Sequence, residues 1–312
     1  MQKSVSDAKE RKVWFNGKMV PSGEVKVPIL THSLQYGSGI FEGIRSYEGD
    51  GSANIFRLKE HVARFLMTAK MYGLNLGFNS HEISDAIVET VKVNNLKSCY
   101  IRPFAFVDDD AISLGIGKKK VSTTVSVIPY DSIFGSRKSD GIRCKVSSWR
   151  RINSSILPIQ AKASGNYLNS IIAANEASAT GFDEAILLSE GGYVAEGTGE
   201  NIFIVKEGTV LTPGKDSDIL LGITRESIIE ISREMGYSVV ERKLHRDELY
   251  TADEVFMAGT AAEVTPVVNV DGFMVGDGKV GKITSSISSM YDRIVRGKEK
   301  RYSGWLTTVQ YL

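Results

Sequence analysis

Apolar positions along the chain recur with two periods, and together they predict a mixed succession of strands and helices. Short strands are predicted over 14–27, flanking Asn16-Gly17, a dipeptide that marks a hairpin turn. Another strand follows near 54–56. Leu58, Val62, Phe65, Leu66 and Ala69 then keep the 3.6-residue period of a helix, and Gly73 stops it. A second helix is predicted from about Ser80, an N-cap type, with Ile83, Ile87 and Val91 on one face. Strands at 100–107 and 121–128 complete a first unit of mixed character. The stretch YDSIFGSRKSD after Pro129 is polar and aperiodic, as a connection between domains is.

Beyond it the pattern predicts a strand at 142–149, a loop around Lys162 and a helix over about 164–180 ended by Gly181. Several strands follow, then a helix over 224–235 ended by Gly236, and strands at 254–257 and 267–270. No repeat of fixed period and no regular βαβ alternation appears, which excludes a Rossmann reading and points to an α+β protein. The expected division is a small α/β domain at 1–128, a connecting loop at 129–141 and a larger domain at 142–312.

Composition narrows the functions open to such a fold. Of 312 residues, 38 are Lys or Arg and 37 Asp or Glu, a formal charge of +1. That balance supplies no electrostatic attraction to nucleic acid or to an anionic membrane. Lys118-Lys119-Lys120, after a Gly-rich turn, reads as a solvated loop. Two cysteines, Cys99 and Cys144, make neither a disulfide framework nor a CxxC pair. Four scattered histidines lack metal-ligand spacing, so no metal is expected. Neither a secretion signal in MQKSVSDAKERK nor a run of 18 apolar residues is present, and the expected setting is the cytoplasm.

Candidate chemistry lies in short segments. In QAKASGNYLNS, Lys162 stands among small residues that let a flat ligand approach the backbone; partial burial would make its amine a usable nucleophile. Alone, this is more simply an exposed loop lysine. In SEGGYVAEGTGENIFIV, Glu196 stands on a strand before Gly197 and Gly199, as a carboxylate facing a pyridinium nitrogen would; the plainer alternative is a strand bulge. Gly222, Ile223 and Thr224 open a helix whose inner face is Ile228, Ile229 and Ile231, and free N–H groups at a helix start suit a phosphate. Arg57, at a strand-to-helix junction, is a cation for the same phosphate. Thr260, Ala261 and Ala262 follow a strand in FMAGTAAEVTPV, where successive amides can hold an oxyanion. Tyr100 and Arg102 project to one face of a strand and can jointly meet a carboxylate, while Pro103 favours an edge strand or a strand end. Gly115-Ile116-Gly117-Lys118 lacks the spacing of a nucleotide loop.

Taken in order, these segments resemble the class IV, fold type IV, pyridoxal-phosphate aminotransferases, and most closely the branched-chain amino acid aminotransferases. The matching pieces are WFNGKMV, HSLQYGSGIFEGIR, IFRLKEH, YIRP, SSWRR, AKASGNYLNS, GYVAEGTGENIF, GITRESI, LYTADEVFMAGTAAEVTPV and GWL, which span nearly the whole chain. The resemblance implies a two-domain fold like that of D-amino acid aminotransferase, with the cofactor at the domain interface. It implies a PLP cycle moving the amino group between leucine, isoleucine or valine and 2-oxoglutarate. Lys162 would form the Schiff base and carry the proton, Tyr167 would bond the cofactor's phenolic oxygen, and Glu196 its ring nitrogen. Arg57, Ile223, Thr224 and Thr260 would hold the phosphate. Tyr100, Arg102, Thr260 and Ala261 would receive the substrate carboxylate. Phe41, Tyr130 and Tyr36 would line the side-chain pocket, Tyr36 from a partner subunit of a homodimer or an assembly of dimers. Tyr130 follows Pro129 where close relatives have tryptophan, and DDDAISLGIGKKK departs from the usual loop. The rivals of the same fold are a D-amino acid or (R)-amine aminotransferase and an aminodeoxychorismate lyase; YIRP and GTAAEVTP favour the branched-chain reading. A non-catalytic phosphate-ligand binder is the remote alternative.

Overall fold

Asn16 and Gly17 both adopt positive φ, 47° and 88°, the conformation a two-residue hairpin turn demands. They join β1 (Lys12–Phe15) to β2 (Lys18–Pro21) with Phe15 opposite Lys18. This hairpin opens a computed structural model that describes residues 10–130, 134–135 and 140–311. Most of the 129–141 connection, including Ile133, lies outside the described residues. The chain divides into one unit of Met1–Asp131, Ala161–Gly165 and Ile294–Leu312, and a second of Ser132–Gln160 and Asn166–Arg293.

The first unit is built on an antiparallel sheet. Its further elements are α1 (His32–Tyr36), β3 (Gly39–Phe41), β4 (Ile44–Glu48), β5 (Ser52–Phe56), α2 (Leu58–Met71), α3 (Ser80–Asn94), β6 (Cys99–Val107) and β7 (Val121–Pro129). The strand Leu306–Gln310 returns from the C-terminus to pair with β5, Leu306 opposite Phe56. Leu58, Val62, Phe65 and Ala69 of α2 and Ile83, Ile87 and Val91 of α3 are buried in one core with Ile44, Ile55, Ile101 and Val127 of the sheet. Helix α2 ends before Gly73 (φ 64°), as the pattern predicts. Helix α3, however, is capped one residue earlier than Ser80. The Asn79 side chain accepts the His81 and Glu82 amides, and Glu82 reaches back to the Asn79 amide.

Strand β6 corrects the expectation for Pro103. It is central, with β7 along one side and both β3 and β4 along the other. Pro103 is tolerated because it lies opposite the break between β3 and β4, where its carbonyl accepts the Glu42 amide (2.9 Å). A strand residue's N–H and C=O point the same way, so the donor that proline lacks would have faced this break.

The second unit comprises β8 (Ile142–Arg150), α4 (Tyr167–Ala179), β9 (Glu184–Leu188), β10 (Val194–Gly197), β11 (Asn201–Lys206), β12 (Thr209–Thr212), α5 (Ile223–Glu234), β13 (Val239–Glu241), α6 (Glu248–Thr251), β14 (Glu254–Gly259), β15 (Glu263–Val270), β16 (Phe273–Met274) and all but the last two residues of α7 (Lys282–Val295). Its strands run β10-β9-β8-β15-β14-β11-β12-β13, and a direct β10–β11 pairing closes the first six into a ring. Ile142, Ile186, Ile202, Val255, Met257 and Val267 fill its core. The pair that closes the ring is Glu196 opposite Asn201, just past a register shift between Val194 and Glu196. Helix α4 buries small residues, Ser170, Ala173 and Ala177, with Ala185 and Leu187 of β9 beside the alanines. Its large apolar residues Leu168 (65% exposed), Ile171 (51%) and Ile172 point outward. The two cysteines are free and buried, and burial pushes the Cys99 thiol up to about 12, so thiolate chemistry is suppressed.

Candidate active site

The Lys162 loop belongs to the first unit, and backbone contacts hold it there. Phe41 donates its amide to the Lys162 carbonyl (3.0 Å), Ile40 and Ala163 form a β-bridge, and the Lys162 amide donates to Thr68 Oγ1 of α2 (3.2 Å). The small residues around Lys162 let this loop lie along β3. Lys162 Nζ stands 5.1 Å from the centre of the Phe41 ring. Arg102 Cζ lies 4.4 Å from the same ring and 5.1 Å from that of Tyr100, and its Nη2 donates to Tyr100 Oη (3.1 Å). Arg102 Nε is buried with no hydrogen-bond partner among the described residues. Tyr130 packs on Tyr100 with ring centres 5.4 Å apart. Phe41, Tyr100, Arg102, Tyr130 and Lys162 are therefore gathered together. Gly43 permits this: a Cβ there would stand 1.9 Å from Tyr100 Oη.

Arg57 and Tyr36 are engaged elsewhere in the unit. Arg57, in the left-handed conformation (φ 52°), stacks on Trp305 at 4.6 Å and pairs with Glu60 at 3.0 Å. Tyr36 is exposed and donates its hydroxyl to the Ile112 carbonyl (3.2 Å). Next to Phe41 lies a buried cluster that no local pattern announces. Arg64 Nε and Nη2 donate to the two oxygens of Glu42 at 2.6 and 2.9 Å, and His61 Nδ1 meets Glu42 Oε2 at 2.7 Å. Burial alone would raise the Glu42 carboxyl, but Arg64 and His61 together hold it well below the usual carboxylate range. Burial lowers the His61 imidazole from its ordinary value, against the opposing pull of Glu42.

In the second unit the functional groups gather around Glu196, which is 6% exposed. Its Oε1 accepts Arg151 Nε (2.8 Å), and its Oε2 accepts Asn201 Nδ2 (3.1 Å) and the Leu220 amide (3.1 Å). Asn201 Nδ2 also donates to the Leu220 carbonyl (2.9 Å), and Gln160 is bonded to both Ile219 and Leu221. These bonds tie the Glu196 strand to the loop that enters α5. Gly222 is the N-cap of that helix and supplies no side-chain cap, so Ile223 and Thr224 occupy the first turn with amides that helix geometry leaves unpaired. Gly222 is required, since a Cβ would meet Asn201 Oδ1 at 2.1 Å. Tyr167 opens α4 and is half-buried. Thr260 and Ala261, also half-buried, form the turn from β14 to β15, where Glu263 takes φ 55°.

The donor set suits pyridoxal phosphate: a lysine amine for an aldehyde, a buried carboxylate for a ring nitrogen, and an uncapped helix start for a phosphate. Among the described residues no group of three or more His, Cys, Asp or Glu could hold a metal ion. Nor is any helix among them long and apolar enough to cross a membrane.

Comparison with known proteins agrees with this chemistry. Residues 39–270 match the model of the amino-transferase class IV family, and the chain belongs to that family. Relatives within it include branched-chain-amino-acid aminotransferases. The Salmonella typhimurium enzyme is 41% identical over 301 residues, 95% of this chain and 97% of its own. A solved branched-chain aminotransferase from Thermoproteus uzoniensis, crystallised with norvaline, is 46% identical with a TM-score of 0.91, covering 95% of this chain and 98% of its own. The branched-chain amino acid aminotransferase from T.th., complexed with N-(5'-phosphopyridoxyl)-L-glutamate, is 43% identical with a TM-score of 0.91, covering 96% and 98%.

Proposed function

We propose that this chain is a pyridoxal-phosphate-dependent transaminase that moves the amino group between L-leucine, L-isoleucine or L-valine and 2-oxoglutarate in the cytoplasm. The observation that carries the reading is Glu196, a buried carboxylate held by three donors beside the uncapped start of α5. When bound, the cofactor supplies the electron sink that makes a substrate Cα–H bond breakable.

The residues divide the remaining work. Lys162 Nζ anchors the cofactor and serves as the base that takes the Cα proton. Glu196 keeps a proton on the ring nitrogen, and Tyr167 donates its hydroxyl to the phenolic oxygen. The Ile223 and Thr224 amides, with the Thr224 and Thr260 hydroxyls, hold the phosphate. Arg57, at the N-cap of α2, is the cation for the phosphate; Arg64, the arginine within α2 and tied through Glu42 to the Phe41 side, is its rival, and comparing cofactor retention in Arg57→Ala and Arg64→Ala decides between them. Tyr100, Arg102, Thr260 and Ala261 receive the α-carboxylate, and the unmatched Arg102 Nε supports that role. Phe41 and Tyr130 line the side-chain pocket.

Association into a homodimer, or an assembly of dimers, is part of the proposal, with Tyr36 reaching a partner's pocket. The outward Leu168, Ile171 and Ile172 of α4, and the exposed Ile29, Leu30 and Leu34 near Tyr36, support it. The test is turnover of L-leucine with 2-oxoglutarate, read as 4-methyl-2-oxopentanoate, beside D-alanine and aminodeoxychorismate. Product from leucine alone is expected. Turnover of D-alanine or aminodeoxychorismate without leucine would overturn the assignment.

A further inference from the structure

Among the groups that hold Glu196 are a charged donor, Arg151, and two neutral ones, and Arg151 has no part in the roles assigned so far. Arg151 is 8% exposed and sits just past the end of β8, where its amide donates to the Leu188 carbonyl (2.8 Å). Asn169 of α4 fastens this stretch of chain. It accepts the Ile152 amide (3.2 Å), donates to the Arg150 carbonyl (2.8 Å) and lies 3.5 Å from Arg151 Nη1. The guanidinium is thus set in place before it meets Glu196, and the buried pair costs little further ordering.

We propose that Arg151 is a positioning residue that acts through Glu196: its charge keeps the carboxylate ionised and thereby fixes the proton on the ring nitrogen of the bound cofactor. The proposal rests on the cofactor reading given above. A buried carboxylate that loses the cation facing it binds a proton more readily, whatever neutral donors remain. A proton shared between carboxylate and ring nitrogen would then move from nitrogen to oxygen. A neutral ring draws electrons less strongly, so the Cα–H step slows while the carboxylate contacts of Arg102, which lie in the other unit, are untouched.

The experiment uses holoenzyme loaded with pyridoxal phosphate labelled with 15N in the ring, because the nitrogen chemical shift reads protonation directly. Wild type is expected to show the protonated ring at neutral pH. In Arg151→Gln the signal is expected to move towards the neutral ring, with kcat down about 10–100-fold, the range typical of losing a group that orients and charges a ligating side chain, and KM for leucine nearly unchanged. Arg151→Lys, which keeps a cation on a different stem, is expected to retain the proton but to lose it at a lower pH than wild type does. An Arg151→Gln holoenzyme with the wild-type nitrogen shift overturns the proposal. If that variant does not fold, Arg151→Met, which also removes the charge, takes its place, and a wild-type nitrogen shift there overturns the proposal equally. A wild-type protein that takes up no labelled cofactor would instead sink the function on which the proposal stands.

Discussion

At the scale of single residues, Arg102 makes the most specific demand on substrate. Its guanidinium lies against Phe41 and Tyr100 and presents a buried Nε with no partner among the described residues. A carboxylate docking there gains a charge-assisted bond, about 1.5–3 kcal/mol for a bond to a charged group. Arg102→Leu should therefore raise KM for both leucine and 2-oxoglutarate by roughly 10–100-fold, since each tenfold is about 1.4 kcal/mol. The visible absorption of the bound cofactor should stay as in wild type. An increase confined to one of the two substrates would show that Arg102 does not read the carboxylate they share.

At the scale of elements, the capping box of α3 is a local device with a local cost. Asn79→Ala leaves the His81 and Glu82 amides without their acceptor and should destabilise the protein by about 1 kcal/mol in urea unfolding. Faster amide exchange at those two residues should accompany it. The same elements show what the sequence made legible. Periodic apolar faces revealed α2, α3 and α5, and Gly73, Gly181 and Gly236 marked helix ends. Pro103 misled because a proline's partners across a sheet are set by a chain break elsewhere, between β3 and β4. The outward face of α4 could not be told from a core face by periodicity, which is blind to which side is covered. The strand Leu306–Gln310 pairs with residues some 250 positions away, beyond any local pattern. In the candidate site, the motif segments are legible in the sequence, but nothing local to Arg151, Asn201, Gln160 or Glu42 announces a role. Each of them is bonded to a partner, and in Arg151–Glu196 or Gln160–Leu221 that partner is distant in sequence.

At the scale of the whole molecule, two properties follow from what is buried and what is not. The Glu42 carboxyl is held low in the folded chain, so its contribution is complete above the ordinary carboxylate value of about 4.3 and declines as the pH falls below it. His61, lowered by burial, adds in the same direction: unfolded chain takes up its proton near about 6.5 while folded chain resists. The midpoint of thermal unfolding should therefore drop as pH is lowered from 7 to 4 and further towards 2, and the fall below about 4.3 should be shallower in Glu42→Gln. An equal slope in both proteins would remove Glu42 from the account of acid sensitivity. The exposed apolar face of α4 leads to the second property. Sedimentation should give a dimer or a multiple of one, and Leu168→Glu with Ile171→Glu should shift it towards monomer; a wild-type monomer at micromolar concentration would contradict the proposed association.

The amine of Lys162 stands at the centre of the proposed chemistry, and it can be examined chemically without turnover. Holoenzyme is reduced with borohydride, digested, and the phosphopyridoxyl group located by peptide mass spectrometry. The expected result is a single modified peptide carrying the group on Lys162, absent from Lys162→Ala. Attachment to another lysine, or no attachment in a protein that binds the cofactor, would contradict the assignment.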